Sequence, residues 1–216
     1  MVILDKIIKL TKNKIFYISP KIIKYCIAPS KYCDYTQFNS MKIHPHAGLD
    51  RGVFKEDKSG YVKIECSKWD YKSGVLFTKL LEFKALKNHY TGKENWKKSE
   101  FAKRNVNFIK KNNTVRGFVD YKTFLIRREK QIDKLFKSIS KKGVYYFNSL
   151  KGKELYIDNI SVALTKDSKL YFNNRGHHRL SIAKILGLEE IPIKVTVAKS
   201  LKKLKKFYSY YQYLTN

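Results

Sequence analysis

Leu80, Leu81, Phe83, Leu86 and Tyr90 recur at the spacing of one helix face, which predicts a helix from about residue 78. Gly92 separates it from a second helical pattern around 95–111. In 129-EKQIDKLFKSISKKG-143, Ile132, Leu135, Phe136 and Ile139 mark a further face, and Gly143 stands where a C-terminal cap belongs. A helix over 177–186 ends at Gly187. Leu201, Leu204, Phe207, Tyr208, Tyr211 and Leu214 then trace an amphipathic terminal helix. Strands are expected where the period shortens: 61–70, about 144–148, and 191–197. Residues 160–164 and 169–172 flank the turn-forming Thr165-Lys166-Asp167-Ser168 and predict a hairpin. Residues 1–60 alternate short apolar runs with Pro20, Pro29, Pro45, Gly48, Gly52 and Gly60, which suits short strands and loops.

No internal repeat or low-complexity linker interrupts this order, and the weakest join is the polar 112-NNTVRG-117. The expected organisation is an extension over 1–116, a core over 117–197 and a basic amphipathic helix over 198–216. The class is α+β, a small mixed sheet with packed helices. The extension is a candidate for acceptor binding or partner docking.

Composition adds a sign to this outline. An apolar fraction of 43% with 16 Tyr and 13 Phe supports a packed core. No uninterrupted apolar run is long enough to span a bilayer, and lysines break the apolar N-terminus, so neither a transmembrane helix nor a signal peptide is expected. Cys26, Cys33 and Cys66 lack CxxC spacing and fit a reducing compartment, the cytoplasm by default. The 46 basic residues against 18 acidic ones give a net charge of +28, although only seven of the basic residues are Arg. Codon bias explains a preference for Lys over Arg but not the excess of basic residues. The excess attracts polyanions, nucleic acid among them. Five lysines lie between 199 and 206, and the plainer expectation there is a solvated face over a packed stripe.

Chemistry concentrates in 172-FNNRGHHRLSIAKILGLEEIPIKV-195. A glycine between a strand and a helix start suits anion binding, because the first N–H groups of a helix lack internal partners and the dipole adds positive charge. Gly176 would admit a phosphate closely, Arg179 would grip it bidentately, and Arg175 would add charge. His177 and His178 would donate to the phosphate or move a proton near neutral pH. The bland alternative is a tight turn at Gly176, a histidine cap and a surface pair for Arg179. Adjacent histidines cannot easily share a metal, so zinc is disfavoured even with His44 and His46 as distant ligands.

The segment 169–195 resembles the signature of the ParB/sulfiredoxin-like superfamily: strand, Gly-x-(His/Arg)-Arg, helix, Gly-Leu, Ile-Pro-x-x-Val. Residues 127-RREKQIDKLFKSISKKGV-144 resemble its upstream arginine and helix, so the likeness covers about 117–197. The superfamily includes CTP-binding segregation clamps, sulfiredoxins, free-serine kinases and proteins described as nucleases. His177 stands where sulfiredoxins have their catalytic cysteine. About twenty residues follow Val195, too few for the clamps' helix-turn-helix reader. Gly-His-His-Arg is most similar to the kinase-type members, except that Arg175 replaces their usual Asp.

The resemblance thus implies a nucleotide-dependent phosphotransferase that binds ATP, ADP or CTP with Mg²⁺ and acts on a small or acidic acceptor. Its phosphates would rest on Arg175, Gly176, His177, His178, Arg179 and Arg127 or Arg128. Phosphoryl transfer also needs a carboxylate to hold metal or accept a proton, and Glu129 and Asp158 are the candidates, ahead of Asp120 and Asp133. The alternatives are a nucleic-acid-binding protein or nuclease, favoured by the charge, and a non-catalytic nucleotide-sensing module.

Overall fold

The computed structural model describes residues 15–27, 62–64, 74–111, 118–144, 159–173 and 175–215. They form an α+β architecture. The strands are β1 (Ile15–Ile18), β2 (Tyr25–Ile27), β3 (Lys63–Ile64), β4 (Gly74–Leu76), β5 (Ile160–Leu164), β6 (Leu170–Phe172) and β7 (Ile191–Ala198). The helices are α1 (Leu81–Tyr90), α2 (Glu100–Lys110), α3 (Tyr121–Lys142), α4 (His177–Leu186) and α5 (Leu201–Thr215).

The sheet is mixed, in the order β1-β7-β5-β6-β2-β4, with β3 continuing the β1 side of β7. β5 and β6 form the expected antiparallel hairpin, and β7 lies parallel to β5. β5 and β7 are buried at every position, as expected of strands covered on both faces. β1, β2 and β4 come from the N-terminal half, so strands from both sides of the 116/117 division enter one sheet.

Among the described residues two large apolar cores result, beside a small cluster of Ile27, Ala163 and Val197. The first joins the sheet to α4 and α5 through Val162, Phe172, Leu180, Ile193, Leu204 and Phe207. In it Phe16 of β1 stacks on Tyr208 and meets Phe207 edge-on, which seats the terminal helix on the sheet. The second core is helical: Leu86 of α1, Phe101 and Ile109 of α2, and Phe124 and Ile132 of α3 enclose Trp96. α1 serves both, since Leu80 and Phe83 at its start belong to the sheet core while Ala85 and Leu86 belong to the helical one.

α3 begins eight residues earlier than the pattern after 129 suggests. The reason is local: Asp120 caps it, accepting from the N–H groups of Lys122 (3.4 Å) and Thr123 (2.6 Å), and Phe124 anchors its first turn. Most of the expected strands at 144–148 and 61–70 lies outside the described residues; Val144, which is described, is not in a strand.

Candidate functional site

The turn into α4 is fixed by backbone packing. Gly176 is left-handed (φ +79°), and a Cβ there would lie 2.7 Å from Ile160 Cα at the start of β5. Around it, Ser161 N–H donates to Arg175 O (3.1 Å) and Asn173 N–H donates to Ser161 O (2.9 Å). The Asn173 amide also reaches Thr196 Oγ1 on β7 at 2.9 Å. The space opened by the missing side chain is therefore filled by β5. Gly176 is required for close chain packing and for its positive φ, not to clear room for a phosphate.

This turn starts α4 with His177 and His178 facing a carboxylate, Glu82 in the first turn of α1, that is not among the acids singled out by the motif. His177 Nδ1 lies 3.2 Å from Glu82 Oε2, and His178 Nε2 contacts Oε1. Arg128, from the middle of α3, places Nη2 at 4.0 Å from Oε1 and against the His178 ring, 3.2 Å from Nδ1 and 2.6 Å from Nε2. Nε2 is thus the ring nitrogen nearest both the carboxylate and the guanidinium. His177 is wedged among rings, 5.0 Å from Phe77 and 5.7 Å from Phe172. The side chains of Glu82 and His177 are 2% and 5% exposed, whereas His178 and Arg128 reach the rim at 13% and 12%.

Electrostatics explains why a carboxylate is tolerated here. Burying an isolated charge costs several kcal/mol, on the order of the whole stability margin. Glu82 offsets that cost with Arg128, two imidazoles and two helix starts, its own and that of α4, each carrying partial positive charge. Arg175 and Arg179 flank the two histidines in sequence and add positive charge to the start of α4. Arg179, 7% exposed, lines a cleft of about 260 Å³ whose other wall is the C-terminal half of α3, including Gln131, Lys134 and Ser138.

The other candidate acids lie elsewhere or serve other elements. Glu129 pairs with Lys97 at 2.7 Å, on a different face of α3 from Arg128. Asp133 accepts from Tyr90 Oη at 3.0 Å and lies 3.4 Å from His89 Nε2. There, burial and the neighbouring carboxylate push the Tyr90 phenol well above its ordinary range. Asp120 is the cap of α3, and its hydrogen bonds from Thr123 lower its pKa. Arg127 is exposed, while Arg128 is the arginine turned into the cluster. Asp158, His44 and His46 lie outside the described residues.

Glu82 carries one signal in the sequence. It shares a helical stripe with Ala85 and Leu86, so it is a carboxylate on an otherwise apolar face. No spacing rule connects it to a motif almost a hundred residues away.

The donor set does not suit a protein-held Mg²⁺. Mg²⁺ prefers several oxygen ligands, and this cluster offers one carboxylate, already faced by two imidazoles and an arginine. No three His, Cys, Asp or Glu residues among those described are placed to hold a metal ion. No described helix is long and apolar enough to cross a membrane.

No family model, curated protein or solved structure matches the chain.

Proposed function

We propose that the cluster is the active site of a nucleotide-dependent phosphotransferase. The observation that carries the reading is the convergence of Glu82, His178 and Arg128 from three helices at the turn that opens α4. Phosphoryl transfer asks a protein mainly for positioning and charge neutralisation, with a group to take the acceptor's hydroxyl proton. Arg128, at the rim, and Arg175 and Arg179, close in sequence, supply positive charge for the phosphates. Any Mg²⁺ enters as the nucleotide's own counter-ion. The cleft beside Arg179 and Lys134 is basic and suits a small acidic acceptor.

In this reading the acceptor's O–H bond breaks as its oxygen bonds phosphorus, and the bond from phosphorus to the leaving nucleoside diphosphate breaks. The reading takes His178 in the tautomer with Nε2–H towards Glu82, so the proton goes to Nδ1 once Arg128, 3.2 Å from it, makes way for the acceptor hydroxyl. Glu82 holds the opposite nitrogen and stabilises the imidazolium that forms, so it is a positioning residue and His178 the proton acceptor. The Gly-His-His-Arg resemblance to kinase-type members supports the same assignment.

A second reading follows from the depth of Glu82: the cluster is a buried ionic clasp joining α1, α3 and α4, with nucleotide sensed or absent. Calorimetric titration of ATP, ADP and CTP, with and without Mg²⁺, separates the two. Binding of at least one nucleotide is expected, with turnover lowered at least about 100-fold in Glu82→Gln and His178→Asn at nearly unchanged affinity. Absence of binding by every nucleotide sinks the proposal. Binding without turnover in the wild type leaves the sensing module.

A further inference from the structure

The second site lies at the other end of the β5–β6 hairpin. Gly176 packs at Ile160, where β5 begins, whereas the turn 165–168 closes its far end, roughly 16 Å away for five extended residues. Beside that turn is a groove of about 380 Å³ lined by Ile22, Leu170, Phe207 and Tyr210 and rimmed by Lys169 and Lys206. Its walls are apolar and aromatic and its rim is cationic. Tyr210 is 60% exposed and Ile22 45%, unlike the buried stripe of the same helix formed by Leu204, Phe207 and Tyr208.

Charge selects among occupants. The segment 199–216 has five lysines and no acidic residue, and Lys202, Lys205 and Lys206 are exposed on α5. A polyanion is therefore favoured, in keeping with the net charge of +28. The exposed ring narrows the choice to a polyanion that carries planar faces. In a duplex those faces are covered by neighbouring base pairs, whereas single strands present them for stacking on aromatic side chains. An anionic membrane fits less well. An interfacial helix needs its apolar face for the lipid, and that face of α5 is spent on Phe16 and the sheet.

We infer that this groove binds single-stranded nucleic acid, with a base stacked against Tyr210 and the backbone phosphates neutralised by Lys206, Lys169 and the outer lysines of α5. The site is separate from the histidine cluster and does not depend on its chemistry.

Fluorescence anisotropy with a short labelled oligothymidylate tests it on the full chain. The wild type is expected to bind saturably, with affinity falling as salt rises from about 50 to about 200 mM. Tyr210→Ala should weaken binding at least about fivefold, and Tyr210→Phe, which keeps the ring, should not. Lys206→Gln should reduce the salt slope by about 0.7. Both positions are exposed, and unchanged melting of the variants checks that the fold is intact. Four outcomes would overturn the inference. They are no saturable binding, tighter binding of duplex than of single strand, inorganic polyphosphate competing as well as the oligonucleotide with Tyr210→Ala silent, or binding to phosphatidylserine vesicles alone.

Discussion

Lys184 shows how a single half-buried amine becomes a pH-dependent liability. It lies on α4 behind the histidines, where its Nζ donates to the carbonyl of Pro20 and lies 5.8 Å from the centre of the Phe77 ring. Burial lowers its pKa to about 8 from the ordinary 10.5, with Cys26 opposing the shift. The same burial pushes the Cys26 thiol up. Below pH 8 the amine is charged both folded and unfolded, and the folded state bears the desolvation cost. Between pH 8 and 10.5 the folded state sheds its proton first, so the unfolded state holds more protons and stability rises with pH. Lys184→Met removes this dependence. The wild type should therefore gain on the variant across that window by about 1–2 kcal/mol, the full shift being reduced by partial solvent screening. Urea melts of both proteins at a series of pH values measure the difference.

Elements at the C-terminal end were nearly complete in the sequence. The hairpin, α4 ending at left-handed Gly187, β7 and α5 fall within a residue or two of their patterns, because each has a strong period and clear punctuation. α3 was half legible, since its first two turns are held by a cap and one buried ring rather than by a continuous stripe. The site divides similarly. Gly176 to Arg179 is local and visible, while the meeting of Glu82, Arg128 and His178 is tertiary and leaves only a misplaced carboxylate as its trace. The junction of β5 and α4 can be tested directly. Gly176→Ala adds a methyl against the Ile160 backbone at a positive φ and should cost about 2–4 kcal/mol of stability, read from the urea midpoint. A loss well under that would mean the turn relaxes away from β5.

At the scale of the whole molecule, +28 charges on 216 residues oppose compaction. Raising the ionic strength from about 0.1 to about 1 M shortens the screening length from about 10 to about 3 Å and should raise the melting temperature of the nucleic-acid-free protein. Calorimetric scans over a chloride series check the direction. Against that repulsion, two apolar cores share one helix: α1 contributes its first turn, which also carries Glu82, to the sheet core and its middle to the helical core. This sharing has a dynamic consequence. A fluctuation that frees the sheet from the helices must pull α1 out of one core and part the carboxylate from His177, so partial opening has no inexpensive route. The hydrogen-bonded amides of Lys84 on α1 and Leu180 on α4 should then exchange with solvent only through global unfolding, with the denaturant dependence of the complete transition. The innermost part of the cluster would be reached from its rim, through His178 and Arg128, and never by the fold coming ajar.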